Sequence, residues 1–250
     1  MRQRSIWKSL AGGAAGTLLL ATLSGCALGV LLSKPWIRNA NNNKVVFFGD
    51  SIFALSGEIQ TRLYSLNGGK TFRNYTTSGA ELIGGAIAPS VEQQIATANA
   101  DNPNSTVVVM NGGGNDILIP AVALDPYDCL TQWYEFGRLS SRCKGLIDDI
   151  YVDGVDLLNG LYADGITQVI YLGYYYTKNG LLLVDDLEEA VDYGDLRLSQ
   201  ACTNSIVNCA FIDPRGAIRD SDITGDGVHP NATGSRKLAD LIWPVLQAKL

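Results

Sequence analysis

The stretch from Lys44 to Ser51 constrains the fold most. A short run of β-branched and aromatic residues, 44–48, stops at Gly49-Asp50-Ser51, and a segment of helical pattern follows from 52 to 66. Open α/β sheets present groups at the carboxyl edge of a strand in this way, and ligands bind at that edge. Ser51 is therefore expected at a helix N-terminus, where backbone N–H groups favour negative charge. From this stretch alone, a nucleophile and a simple cap by Asp50 and Ser51 are equally open.

Apolar runs and helical segments alternate along the rest of the chain. Further strands are predicted at 71–77, 106–110, 168–172 and 206–212, and helices at 90–100, 144–164, 185–204 and 232–250. The segment from Ile119 to Cys143 has no regular pattern and is predicted to be irregular. Because the strands are continuously apolar, they are expected to be buried on both faces. The pattern predicts one α/β domain with a five-stranded parallel sheet and helices on both faces.

The N-terminal residues have the composition of a targeting segment. Residues 1–25 carry Arg2, Arg4 and Lys8 and no acid, and an apolar stretch of small residues follows, as in a signal peptide. Leu23-Ser24-Gly25-Cys26 resembles the bacterial lipobox, in which the cysteine is lipidated and becomes the first mature residue. The resemblance implies an exported lipoprotein anchored to the membrane through Cys26. Ala27 then implies the outer membrane, facing the periplasm or the cell surface.

Residues 26–43 are predicted to be a tether from the lipidated Cys26, and residues 44–250 the folded domain. Removal of the leader leaves 16 basic against 25 acidic residues, a net charge of −9, which disfavours a nucleic-acid partner. The sequence does not indicate an oligomeric state.

Four cysteines remain in the domain, and an even number in an exported chain favours two disulfides. Pairing of Cys129 with Cys143 and of Cys202 with Cys209 joins cysteines close in sequence, although three connectivities and free thiols remain open. A zinc site is disfavoured because the spacing lacks a C-x-x-C motif.

The only histidine, His229, lies in the loop between the last predicted strand and the last helix. Asp226 precedes it by three residues in a glycine-containing turn, where a carboxylate can orient one ring nitrogen while the other faces a serine. A nucleophile, a base and an orienting acid form the arrangement that activates a serine hydroxyl.

Four separate segments resemble the SGNH, or GDSL, hydrolases, in the order of that family's motifs. These are Gly49-Asp50-Ser51, Asn74-Tyr75-Thr76-Thr77-Ser78-Gly79, Gly113-Gly114-Asn115-Asp116 and Asp226-Gly227-Val228-His229. The second segment is the least specific, because Gly84 or Gly85 competes with Gly79. The G-x-S-x-G elbow of ordinary α/β hydrolases is not present at Ser51.

The resemblance implies a flavodoxin-like three-layer fold and a serine mechanism without a metal or organic cofactor. Ser51 would be the nucleophile, His229 the general base and then acid, and Asp226 the residue that orients His229. The oxyanion hole would consist of the backbone N–H groups of Ser51 and Gly79 and the side-chain amide of Asn115.

The resemblance leaves the substrate open. Carboxylic ester hydrolysis of the esterase or lipase type is predicted, with an O-acetylesterase acting on a saccharide or peptidoglycan, or an acyl thioesterase, as alternatives. A non-catalytic surface binding lipoprotein is the alternative from another class. The tyrosines at 171 and 174–176 and the run 181–184 are expected either to line the substrate site or to pack in the core. Asp220, Asp222 and Gly225 partly match a calcium loop, but position twelve is Asn231 rather than Glu.

Overall fold

Five parallel strands form the central sheet. The computed structural model describes residues 33–55, 57–85, 87–131, 138–182 and 184–250. The strand order is β2-β1-β3-β4-β5. The strands are β1 (Asn42–Phe48), β2 (Phe72–Asn74), β3 (Val107–Met110), β4 (Gln168–Leu172) and β5 (Asn208–Ile212). All four pairings are parallel, which confirms the predicted sheet.

Seven α-helices lie in the described part of the chain. They are α1 (Ser51–Ala54), α2 (Glu58–Leu66), α3 (Val91–Asp101), α4 (Gly114–Ala123), α5 (Ser141–Ala163), α6 (Glu188–Asn204) and α7 (Ala232–Gln247). Two predictions were wrong. The helix predicted at 52–66 is two helices, because Gly57 adopts a left-handed conformation with φ of +66°. The segment 119–143, predicted to be irregular, overlaps α4 as far as Ala123 and α5 from Ser141.

The helices cover both faces of the sheet. Side chains alternate along β1, so Val45 and Phe47 pack on one face and Val46 and Phe48 on the other. The first face is covered by α1, α2 and α7, and the second by α3, α5 and α6. This arrangement confirms the three-layer fold.

The carboxyl ends of the strands bring distant loops together. Phe48 at the end of β1 is paired with Met110 near the end of β3, and Met110 with Tyr171 of β4. The strand order reverses between β1 and β3, and in doubly wound sheets this switch point is where the ligand crevice forms. The loop that contains Ser51 leaves β1 at this point, and the loop before Asn115 leaves β3 beside it.

Both predicted disulfides are present. Cys129–Cys143 ties the segment after α4 to the first turn of α5, with the Cα atoms 5.1 Å apart. Cys202–Cys209 ties the end of α6 to β5, with a Cα separation of 5.2 Å. The local pairing is therefore confirmed.

Part of the segment predicted as a tether packs against the domain. The indole Nε1 of Trp36 donates to Thr77 Oγ1 at 3.2 Å, and its ring lies 5.4 Å from that of Tyr75. Ile37 forms an antiparallel bridge with Asn74. Cys26 and the signal peptide lie outside the described residues. Within the described ranges, none of the helices has the length and apolar character needed to cross a membrane.

Candidate active site

The turn after β1 depends on a glycine and on an asparagine from the neighbouring strand. Gly49 has φ of +143°, and a Cβ there would lie 1.9 Å from Asn111 Oδ1, so only glycine fits. That oxygen accepts a hydrogen bond from the Asp50 N–H at 3.0 Å, and Asn111 Nδ2 donates to Asp50 Oδ1 at 2.7 Å. The reciprocal pair fixes the loop of β1 against that of β3.

Asp50 is the N-cap of α1, and Ser51 is the first helical residue. The Asp50 carboxylate accepts from the Ile52 N–H at 2.9 Å and from the Tyr174 hydroxyl at 2.7 Å. Burial raises the pKa of Asp50, while the hydrogen bonds from Tyr174, Ile52 and Asn111 oppose the rise. Asp50 therefore anchors the turn, and capping does not use the hydroxyl of Ser51.

Two polar groups of Ser51 matter for a ligand, its hydroxyl and its backbone N–H. The residue is 8% exposed and borders a cavity of about 80 Å³ that Asn115 and Val228 also line. Neither its hydroxyl nor its backbone N–H makes a hydrogen bond with any residue that the structure describes. Both groups are consequently available to a ligand in the cavity.

His229 is held by Asp226 through a short contact. His229 Nδ1 lies 2.6 Å from Asp226 Oδ2, and the other carboxylate oxygen accepts from Thr224 Oγ1 at 2.7 Å and from the Val228 and His229 N–H groups at 2.9 and 3.0 Å. Partial burial alone would raise the pKa of Asp226, but these hydrogen bonds, that of the His229 ring first, hold it well below its usual range. An ionised Asp226 favours the tautomer with the proton on Nδ1, which leaves Nε2 as the base.

A second loop supports the turn that contains Asp226 and His229. The Lys178 N–H donates to the Gly227 carbonyl at 2.9 Å, and the Leu182 N–H donates to the Asp226 carbonyl at 3.1 Å. Gly227 has φ of +91°, and a Cβ there would lie 2.3 Å from the Lys178 carbonyl oxygen. The Tyr175 hydroxyl donates to the Val228 carbonyl at 2.7 Å. The turn is thus fixed from both sides.

The expected oxyanion donors lie on two other loops of the same edge. Asn115 is buried in the first turn of α4, and its Nδ2 donates to the Ala80 carbonyl at 2.9 Å, which leaves one amide hydrogen for a ligand. Gly79 follows β2 with φ of +78°. Within the described ranges, the Gly79 N–H has no hydrogen-bond partner.

The structure brings His229 to the neighbourhood of Ser51 without joining them. No hydrogen bond links Ser51 Oγ and the His229 ring among the described contacts. His229 is close enough to Asp50 for its charge to lower the pKa of that carboxyl group. Catalytic hydrogen bonds are often long in a site without substrate, so this geometry is compatible with a serine and base pair.

The tyrosines in and after β4 lie in different parts of the protein. Tyr174 and Tyr175 line the cavity, whereas Tyr171 lies in the core and donates to the Gly112 carbonyl at 2.9 Å. The Tyr176 hydroxyl donates to Asp192 at 2.7 Å on the surface. Leu181 is 85% exposed and does not line the cavity.

Two further buried carboxyl groups lie near the site. Asp116 belongs to the third motif but was assigned no role, and Asp195 was not singled out from the sequence. Burial raises the pKa of Asp116 to about 7, against a hydrogen bond from the Leu82 N–H. Burial also raises the pKa of Asp195 to about 7, against the Tyr174 N–H and the charge of Arg215. Sequence periodicity carries no signal for either, because each depends on a partner more than 20 residues away.

In the segment that partly matches a calcium loop, Asp222 binds other protein groups. Asp222 pairs with Lys237 Nζ at 2.6 Å and accepts from the Arg219 N–H at 2.9 Å. Among the described residues there is no group of three or more His, Cys, Asp or Glu side chains arranged to hold a metal ion.

Solved structures of esterases have a similar fold. A protein of Bacteroides fragilis assigned as an acylhydrolase is 19% identical, with a TM-score of 0.56 over 90% of this chain and 94% of its own. A family 3 carbohydrate esterase from Talaromyces cellulolyticus is 17% identical, with a TM-score of 0.58 over 83% and 98%. A catalytic mutant of the acetylxylan esterase Axe2 from Geobacillus stearothermophilus is 15% identical, with a TM-score of 0.52 over 83% and 95%.

No family model and no curated protein matches the chain. At these identities the likeness concerns the fold. The chain therefore has the three-layer α/β fold of these acylhydrolases and carbohydrate esterases, as its resemblance to the SGNH hydrolases implied.

Proposed function

We propose that this protein is a serine ester hydrolase in which Ser51, His229 and Asp226 form the catalytic triad. The observation that carries the proposal is the Asp226–His229 contact of 2.6 Å at the sheet edge where the Ser51 hydroxyl bonds to no described residue. A serine hydroxyl is a weak nucleophile until an adjacent base takes its proton. The similarity to solved esterases supports the same reaction class.

The proposed reaction has two steps. His229 Nε2 takes the proton of Ser51 Oγ as that oxygen attacks the ester carbonyl carbon, and His229 then gives the proton to the departing alcohol. Water attacks the acyl-enzyme while His229 takes one of its protons, and His229 returns that proton to Ser51 Oγ as the C–O bond to Ser51 breaks and the carboxylic acid leaves. No metal or organic cofactor is needed for this sequence.

The negative charge on the carbonyl oxygen is proposed to be held by the N–H groups of Ser51 and Gly79 and by the Asn115 amide. The first two make no hydrogen bond with a described residue, and the third has a spare donor. Loss of one such donor costs about 3 kcal/mol of transition-state stabilisation in other hydrolases.

A fluorophosphonate probe tests the proposal without knowledge of the substrate. We expect wild-type protein to be labelled covalently, peptide mass mapping to place the adduct on Ser51, and Ser51→Ala to take up no label. Ser65→Ala, which removes an exposed hydroxyl on α2, is the matched control and should be labelled like the wild type. An unlabelled wild-type protein that is folded by circular dichroism would favour the binding-protein alternative.

The membrane anchor is a separate proposal based on the lipobox at residues 23–26. Disulfides persist in oxidising compartments, and the two in this domain support export. Labelled palmitate fed to expressing cells should enter the wild-type protein and not Cys26→Ala. Label retained by Cys26→Ala would exclude this anchor while leaving the esterase proposal intact.

A further inference from the structure

The cavity beside Ser51 extends between helices on one face of the sheet. Besides Ser51, Asn115 and Val228 at the sheet edge, its walls come from α4, α5 and α6. Apolar side chains of all three helices line it, among them Ile117, Leu118, Ile147, Ile150, Ala190 and Leu198. An acyl group on Ser51 Oγ would therefore border an apolar space.

A glycine keeps this space open although the backbone does not require one. Gly194 lies within α6, and a Cβ there would meet only Ile117 Cδ1, at an ordinary 3.8 Å. Glycine inside a helix is less stable than alanine, and protein interiors are normally close-packed. The missing side chain thus preserves a cavity that a small apolar residue could fill without strain.

Two charged side chains on the wall, Asp195 and Arg197, are paired within the protein, although Asp195 Oδ2 makes no hydrogen bond with a described residue. Asp195 accepts from the Tyr174 N–H at 2.9 Å and lies 3.8 Å from Arg215 Nε. Arg197 lies 2.8 Å from Asp148, and its guanidinium stacks over the ring of Tyr151. A saccharide needs many hydrogen-bonding groups, whereas a hydrocarbon chain needs only the apolar walls.

We propose that this cavity is an acyl-chain pocket and that the enzyme prefers straight acyl groups longer than acetyl. The inference rests on the proposed function, since the chain must be attached to Ser51. Burial of a methylene group contributes enough free energy to raise kcat/KM about fourfold when the contact is complete. Even partial contact along the pocket makes hexanoate esters better substrates than acetate esters by at least about tenfold.

A series of p-nitrophenyl esters from acetate to decanoate tests the pocket together with Gly194→Leu, which places a side chain in the cavity. In the wild type, kcat/KM should rise at least about tenfold from acetate to hexanoate. In Gly194→Leu the ratio of the two values should fall to about one. The matched control is Gly160→Leu on α5, an exposed helical position where an added Cβ would have no atom within 4 Å, and it should keep the wild-type ratio.

Two further measurements keep the inference falsifiable if Gly194→Leu does not fold. Gly194→Ala should lower the ratio by a smaller amount, and hexyl fluorophosphonate should label wild-type Ser51 faster than the ethyl compound. A wild-type ratio at or below one, or an unchanged ratio in folded Gly194→Leu, would overturn the pocket alone. Failure of every ester and every fluorophosphonate would instead overturn the proposed esterase function.

Discussion

The base and the nucleophile of the proposed triad are held in different ways. Asp226 makes four contacts of 3.0 Å or less, and the turn that carries it is bonded to a second loop. Ser51 follows a turn that Asn111 holds at Asp50, yet its hydroxyl bonds to no described residue. In the proposed triad the base is therefore oriented in advance, whereas the hydroxyl of the nucleophile is left to a ligand in the cavity.

Removal of either partner has the largest expected effect. Ser51→Ala and His229→Ala should each lower kcat/KM on a p-nitrophenyl ester by about 10⁴-fold or more, and the double variant should lose little beyond either single one. Kinetics of the three variants, with thermal unfolding as the folding control, measure this. If the losses in the single variants multiply in the double variant, the two residues do not act as one unit.

Asp226→Asn should reduce kcat/KM by about 10² to 10⁴-fold, because the amide no longer fixes the tautomer of His229. The substitution should also change how the free energy of unfolding depends on pH. A carboxyl pKa lowered by folding contributes stability above its unfolded value of about 3.9, and this contribution is lost as the pH falls through the folded value.

The difference in unfolding free energy between wild type and Asp226→Asn should accordingly be largest at pH 7 and decrease below about pH 4. Chemical denaturation at several pH values measures it. Asp220→Asn, at an exposed carboxylate in the same loop, is the control and should show little change. A difference independent of pH would mean that the charge of Asp226 is not stabilised by its partners.

Much of the fold follows from local sequence. The apolar runs predict β3 and β4 within a residue, since strands buried on both faces need continuous apolar side chains. The break at Gly57 was missed because helical periodicity continues across it. The helix α4 was missed because Gly114 and Pro120, residues that disfavour helix interiors, lie inside it.

The residues of the candidate site were likewise predicted only in part. Ser51 and His229 were predicted from their positions in loops after strands, and Asn115 from the resemblance of its motif to the SGNH hydrolases. Asn111 and Tyr174, which hold Asp50, were not assigned roles. Asn111 is the first residue after β3, a position that could have indicated it. Tyr174 is one of three consecutive tyrosines, and only the tertiary register shows which one reaches Asp50.

Gly227→Ala tests whether the rigidity of the base's turn matters. The added Cβ would lie 2.3 Å from the Lys178 carbonyl oxygen, so one of the two loops must move. Displacement of a catalytic group by about 1 Å can cost 10²-fold, and we expect kcat/KM to fall by about 10 to 100-fold. Gly225→Ala, two residues earlier with no atom within 4 Å, should lose far less; equal losses would refute the argument from the close contact.

Tyr174→Phe tests the support of the nucleophile's turn and should have the smallest effect on catalysis, within about tenfold in kcat/KM. Its main effect is on stability, because the buried Asp50 carboxylate loses a donor at 2.7 Å, which typically costs about 1–3 kcal/mol. Tyr176→Phe is the matched control, since its hydroxyl bonds to Asp192 at the surface and its loss should cost little.

The pH dependence of Tyr174→Phe distinguishes loss of this bond from a general loss of packing. Burial already raises the pKa of Asp50, and removal of the Tyr174 hydroxyl raises it further. A carboxyl pKa raised by folding gives stability below its unfolded value that is lost as the pH rises through the folded value. Tyr174→Phe should therefore be more destabilised relative to wild type at pH 8 than at pH 4, measured by urea unfolding. An equal deficit at both pH values would show that the hydroxyl does not stabilise an ionised Asp50, and the turn of Ser51 would then depend on Asn111 and the helix cap alone.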